Sequence, residues 1–211
     1  MKPARHSFSN TLHTRIEGDF TGARNIRIFY QAWLPEGDAK AVVLVVHGLG
    51  EHSGRCKNVV NHLVPLGFAV YSFDHAGHGR SAGRRGYIDR LDDYTATLAI
   101  SCSRVQAWQP GKPLFLLGHS MGGLIASLFL LDHQALFNGA ILSAPSLLPG
   151  KGVSPTQGFM TRLLSVLAPA AGVLKLDARG ISRDPQVVAD YVDDPLVFHG
   201  RISARLAAEL L

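Results

Sequence analysis

Apolar residues along the chain fall into short continuous runs, and amphipathic stretches separate them. "AVVLVVHG" (41–48), "FAVYSFD" (68–74), "PLFLLGH" (113–119) and "GAILSAP" (139–145) are unbroken enough for strands buried on both faces. "RNIRIFYQAWLP" (24–35) alternates and reads as a further strand. Between them, "CKNVVNHLVPLG" (56–67), "LDDYTATLAISCSRVQAW" (91–108) and "MGGLIASLFLLDH" (121–133) carry apolar positions at helical spacing. Pro65 and Gly67 end the first helix, and Asp92 or Asp93 opens the second. Strands alternating with helices predict an α/β fold, a mostly parallel sheet with helices on both faces. Such sheets carry their sites at the carboxyl ends of the strands. His47, Asp74 and Ser120 all fall at or just past such ends.

After Pro145 the texture changes. Residues 146–198 contain helical pieces, "TRLLSVLA" (161–168) and "DPQVVADYV" (184–192), broken by Pro and Gly. They are expected to form a helical cap, with no further sheet, inserted after a core of residues 1–145. Residues 199–211 read as the return to that core, and "SARLAAELL" (203–211) begins a fresh helix.

Composition narrows the function classes. With 211 residues, 46% hydrophobic and 18% charged, the chain can bury one real core, and global disorder is excluded. The net charge of +5 comes from scattered Lys and Arg, so no nucleic-acid partner is expected. No apolar run reaches transmembrane length, and the basic N-terminal stretch lacks the apolar segment of a signal peptide. Cys56 and Cys102 fit no metal spacing and read as buried thiols of a cytoplasmic protein.

The candidate chemistry lies in G-x-S-x-G, which occurs twice. A nucleophile elbow needs a strand running into the motif and a helix leaving it. Ser120 has both, with "PLFLL" before it and "MGGLIASLFLLDH" after it. Ser81, in "GRSAG" (79–83), has neither and reads as a loop serine. A phosphate-binding turn at Ser120 would lack the Gly-Lys-Ser/Thr ending of a P-loop. With Ser120 as nucleophile, the Met121 backbone N–H faces the developing oxyanion at the start of a helix. The glycine-flanked turn "HGLGEHSGR" (47–55) offers a second donor, the Leu49 N–H.

"HGLGEHSGR", "FDHAGHGRSAGRRGY", "GHSMGG", "LSAPSL" and "SRDPQVVADYVDDPLVFHG" together resemble the monoacylglycerol lipase and lysophospholipase branch of the α/β-hydrolases, from about Leu12 onward. The resemblance implies a serine hydrolase with Ser120 as nucleophile and Leu49 and Met121 as oxyanion donors. It implies a long-chain acyl ester of glycerol or a glycerophospholipid as substrate, and no metal or organic cofactor. It also implies a cap that shapes an acyl channel and rests on a lipid surface, as a peripheral contact of a cytoplasmic protein. His47, Gly48, Glu51, His52 and His119 are the expected substrate-binding residues. For His52, His75, His78 and His119, hydrogen bonding within their own loops is the competing role. Asp74 and Arg80 are expected to tie their own loop together.

The activating partners are harder to place. In this fold the triad runs Ser, then Asp or Glu, then His. After Ser120 only His133 and His199 remain. His133 ends the helix leaving the elbow, roughly 20 Å away at 1.5 Å per residue. His199 follows no strand. Asp177, Asp184, Asp190, Asp193 and Asp194 all fall in the expected cap, with Asp184 and Asp194 as helix-start or turn residues before proline. The family carries its acid and histidine after two further strands, and no such run follows "GAILSAP". The chain is therefore expected to be a catalytically incomplete fragment of a longer lipase, with an exposed apolar sheet edge. A serine peptidase on the same scaffold and a non-catalytic lipid-binding protein are the alternatives. An aspartate-based epoxide hydrolase or dehalogenase is disfavoured by serine at position 120.

Overall fold

The computed structural model describes residues 13–147 and 154–211. The first twelve residues, included in the signal-peptide reading, and residues 148–153 of the expected cap lie outside the described residues. The main sheet contains β1 (His13–Thr21), β2 (Arg27–Pro35), β3 (Ala41–Val46), β4 (Phe68–Phe73), β5 (Leu114–His119) and β6 (Gly139–Ser143). Their order is β1-β2-β4-β3-β5-β6. β1 and β2 pair antiparallel, as do β2 and β4; the remaining neighbours are parallel. Helices α1 (Lys57–Leu63), α2 (Asp92–Trp108) and α3 (Met121–His133) connect the parallel strands. The architecture is the expected α/β-hydrolase-like sheet with helices.

The apolar runs explain this layering. All six residues of β3 are buried, and its side chains alternate between two cores. Val42, Leu44 and Val46 join Leu98 and Cys102 of α2 and Ile125 and Phe129 of α3. Val43 and Val45 join Val60 of α1 and Val64 on the opposite face. The chain leaves central β3 for β4 on one side, and β5 lies on the other. Their carboxyl ends therefore flank the point where strand order reverses, the usual place for a ligand crevice.

The strands differ from expectation in three places. β1 carries only Ile16 and Phe20 as buried residues, so its pattern gave no strand signal, yet it pairs with β2 along nine positions. β2 begins at Arg27 because Arg24 and Asn25 turn the chain at φ 51° and 59°. β6, expected to be buried on both faces, is an edge strand with Ile141 54% and Leu142 39% exposed. Among the described residues, no strand pairs with its outer side.

Sheet also forms where none was expected, with one strand in the cap segment and its partner in the segment that returns to the core. β7 (Gly172–Lys175) pairs antiparallel with β8 (Arg201–Ser203) beside α4 (Pro155–Leu167), α5 (Pro185–Val192) and α6 (Ala204–Glu209). These strands are too short for a periodic signal, and their partners lie far apart in sequence. Ser203 caps α6 by accepting the Leu206 N–H at 3.1 Å. Buried Leu206 and Ala207 join the main core.

Candidate active site

β5 runs into Ser120, and α3 starts at the next residue. Ser120 has φ 52° and ψ −118°, a conformation that costs on the order of 1–3 kcal/mol for a residue with a Cβ. Backbone bonds hold it there. Its N–H donates to Ser143 O at 3.0 Å, and its carbonyl accepts from Leu124 N and Ser146 N, both at 3.1 Å. The surrounding glycines allow this bend by close approach. A Cβ on Gly122 would strike the carbonyl oxygens of Val46 and His47 at the end of β3. One on Gly123 would sit 2.8 Å from Pro145 Cα, and one on Gly118 would strike α3.

The loop after β3 packs against this elbow. A Cβ on Gly48 would lie 3.3 Å from Ser120 Cβ. The backbone N–H groups of Leu49 and Met121 donate to no other group among the described residues. The Met121 N–H is also one of the unsatisfied donors at the start of α3.

The same loop is fastened from below. Buried Asp74 accepts from Ser53 N through Oδ1 and from Arg80 N through Oδ2, both at 2.7 Å. It thus ties two loops together, where a tie within its own loop was expected. The Arg80 guanidinium reaches Glu17 on β1 at 2.9 Å. Ser81 is spent structurally: its hydroxyl donates to Asp74 O at 2.6 Å and accepts from Phe29 N at 2.9 Å.

The expected substrate-binding residues divide. Gly48 faces Ser120, and exposed His119 lies beside it with Nδ1 3.3 Å from Ser143 Oγ. Glu51 pairs with Arg55 at 3.1 Å. His47 and His52 are buried with both ring nitrogens engaged inside the protein. Such rings are poorly placed to bind a ligand directly. His47 packs on His75 and His78, with ring centroids 4.3 Å and 5.5 Å away. Burial pushes the His47 and His78 pKa values down to about 3, and that of His75 well below its ordinary value. All three rings are neutral near pH 7.

Among the described residues, the hydrogen-bond partner of Ser120 Oγ is Ser146 Oγ at 3.4 Å. His133 packs its ring on Phe129, and His199 packs on Tyr191. Asp177 and Asp184 cap short helices, and Asp190 accepts from Gln186. Asp194 combines a turn role with an unexpected one, accepting from Leu196 N at 2.9 Å and pairing with His52 Nε2 at 2.9 Å. No local pattern signals that pairing, because the partners lie 142 positions apart. Ser146 was likewise missed, since only the Ala144–Pro145 bend returns it to the elbow. No three His, Cys, Asp or Glu side chains among the described residues form a metal-holding group. No described helix is long and apolar enough to cross a membrane.

A family model described as Serine aminopeptidase, S33 matches residues 37–211. The monoacylglycerol lipase of Mycolicibacterium smegmatis is 37% identical over 198 residues, covering 94% of this chain and 71% of that protein. The human monoglyceride lipase is 32% identical, covering 87% of this chain and 61% of that protein. The crystal structure of Paleococcus ferrophilus monoacylglycerol lipase superposes with a TM-score of 0.73 at 29% identity, over 94% of this chain and 68% of that one. A soluble variant of Saccharomyces cerevisiae monoglyceride lipase, solved with a substrate analog, gives 0.77 at 25% identity over 100% of this chain and 70% of that one. The chain thus spans between 61% and 71% of the length of these relatives. With a strained serine between strand and helix, and relatives of these names, this chain belongs to the monoacylglycerol lipase branch of the α/β-hydrolase family.

Proposed function

We propose that this protein is of the kind that cleaves acyl esters of glycerol or of a glycerophospholipid through an acyl-enzyme on Ser120. The observation that carries this reading is the strained Ser120 elbow with the Gly48–Leu49 turn packed against it. Ser120 Oγ attacks the ester carbonyl, and the Leu49 and Met121 N–H groups receive the oxyanion. The glycerol-bearing alcohol leaves, and water then releases the fatty acid. Gly48, Glu51 and His119 form the rim around the reacting carbon. An apolar face on α4 supports a long acyl chain or a lipid surface as its partner. Attack requires a base to take the serine proton. Among the described residues no histidine hydrogen-bonds to Ser120, so turnover by these residues alone is slow.

The test is labelling with a fluorophosphonate, together with turnover of p-nitrophenyl acyl esters and of aminoacyl anilides. A covalent adduct on Ser120, lost in Ser120→Ala and kept in Ser81→Ala, supports the nucleophile. Turnover of esters over anilides supports lipase against peptidase chemistry. An adduct on Ser81 would sink the assignment. Lipid binding with neither adduct nor turnover would favour a non-catalytic lipid-binding protein, a reading supported by Ser120 Oγ having Ser146, and no histidine, as its hydrogen-bond partner among the described residues.

A further inference from the structure

The Gly48 carbonyl and the Leu49 N–H are the two ends of one peptide group. That group is planar and trans, so fixing its C=O direction fixes its N–H in the opposite direction. The direction of that peptide is set by ψ of Gly48 and φ of Leu49, and glycine backbone offers little resistance at the first of these. A rotated 48–49 peptide would turn a carbonyl oxygen, rather than an N–H, toward the oxyanion position. Something must therefore hold it.

His47 has the geometry to do so. Its Nδ1 lies 2.8 Å from Gly48 O, while Glu51 N reaches the same oxygen at 3.3 Å. The other ring nitrogen decides the tautomer. His47 Nε2 lies 3.0 Å from the backbone N–H of His75, which can only donate. Nε2 therefore keeps its lone pair, and in the neutral ring the proton sits on Nδ1. A carbonyl oxygen only accepts, so Nδ1–H donates to Gly48 O. Burial keeps the ring neutral, with its pKa pushed down to about 3. The supporting residue is itself tied back, with His75 Nε2 3.2 Å from His47 O.

We propose that His47 is a positioning residue: its Nδ1–H tautomer, selected by the His75 backbone N–H, locks the Gly48–Leu49 peptide with its N–H toward Ser120. The imidazole touches no substrate and acts through the peptide it holds. A hydrogen bond to the carbonyl also polarises the amide and strengthens its N–H as a donor. The catalytic part of this role rests on the reading of Leu49 as an oxyanion donor.

Two substitutions separate the two ring nitrogens. In His47→Asn the side-chain amide can replace Nδ1–H against Gly48 O. In His47→Gln it can replace Nε2 against His75 N–H and leaves Gly48 O without that donor. The first measurement is the long-range proton–nitrogen spectrum of the His47 ring in the unaltered protein, which reads the tautomer without turnover. Nδ1–H is expected, and an Nε2–H ring would overturn the proposal even if neither variant folds. The second is the residual dipolar coupling of the Leu49 amide, expected to be kept in His47→Asn and changed in His47→Gln. An unchanged coupling in folded His47→Gln would overturn the lock. The third is ester hydrolysis. His47→Gln is expected to lower kcat about a hundredfold at unchanged KM, the scale of one lost oxyanion donor, while His47→Asn rescues it. Equal kcat in the parent and His47→Gln would overturn the catalytic role. Equal turnover in the parent and Ser120→Ala would instead reject the hydrolase reading, while the tautomer and the Leu49 coupling still decide the lock.

Discussion

His52, on the loop that faces Ser120, reaches across 142 positions to Asp194, with Nε2 2.9 Å from Oδ2. The His52 Nδ1 accepts the Gly54 N–H at 3.1 Å, so in the neutral ring the proton lies on Nε2 and is donated to the carboxylate. Two further links run beside this pair. Phe198 N donates to Gly50 O at 2.8 Å, and Arg85 bridges Leu196 O and Gly79 O at 2.8 Å each. The segment after α5 is therefore fastened to the loops under the elbow.

Asp194→Ala is expected to loosen this fastening. Burial raises the Asp194 pKa, but hydrogen bonds from His52 and Leu196 outweigh it and leave the carboxyl below its ordinary range. Removing the carboxylate orphans the buried His52 Nε2, at a cost of about 1–3 kcal/mol. Hydrogen exchange should rise in residues 185–198, and the denaturant midpoint should fall. Unchanged exchange there would show that the Phe198 and Arg85 links suffice.

Acid should unfold the protein through its buried histidines. His47, His75 and His78 have folded-state pKa values below their ordinary 6.5, so the unfolded chain binds their protons first as pH falls. Their neutral burial is fully tolerated above pH 6.5. Stability is then lost as pH falls from 6.5 toward 3, by about 1.4 kcal/mol per pH unit for each proton taken up. Denaturant midpoints measured between pH 7 and pH 4 should fall steeply, and more gently in His78→Gln. A flat profile across that window would contradict neutral burial of this cluster.

The elbow glycines give a steric prediction. Gly122→Ala forces a Cβ into the Val46 and His47 carbonyl oxygens, and backbone cannot yield as a side chain does. Overpacking of this kind costs about 1–3 kcal/mol or more. The variant should lose thermal stability and Ser120 labelling together, because α3 must move away from β3. Gly158→Ala, inside α4 with open space around its Cβ position, is the control and should raise stability by about 0.5–1 kcal/mol while leaving Ser120 labelling unchanged. Wild-type stability in Gly122→Ala would mean that the β3–α3 approach is looser than described.

These cases show which features were legible in the sequence. β3 and β5 could be read because both leave unbroken apolar runs, β3 buried on both faces and β5 buried on one with Phe115 and Leu117 half-buried on the other. β1 and β7 could not, because edge and ribbon strands bury few side chains. β6 carried a buried strand's pattern yet lies exposed, since a run of apolar residues does not report what covers it. The Ser120 elbow was legible because its strand, turn and helix are consecutive in the sequence, although the contacts that require glycine at 122 and 123 come from β3 and Pro145. The His47 tautomer and the His52–Asp194 pair were not, because each is set by groups that only folding brings together.

The last prediction concerns α4. Phe159, Met160, Leu163, Val166 and Leu167 are all exposed, the extremes being Leu163 at 40% and Val166 at 74%. At helical spacing they form one continuous stripe. The capping box at Ser154 and Gln157 fixes the start of this helix, so the stripe belongs to an ordered element. Contact with a lipid surface or an acyl chain is the proposed use of that face. Phe159→Ser with Val166→Ser should leave stability within about 0.5 kcal/mol, as expected for exposed positions. It should weaken sedimentation with phosphatidylcholine vesicles containing monoacylglycerol. In an active enzyme it should slow long-chain esters far more than acetate esters. Equal loss on both ester lengths, with a lower unfolding midpoint, would mean that this face packs against protein. Unchanged vesicle binding would remove the lipid surface from the proposal.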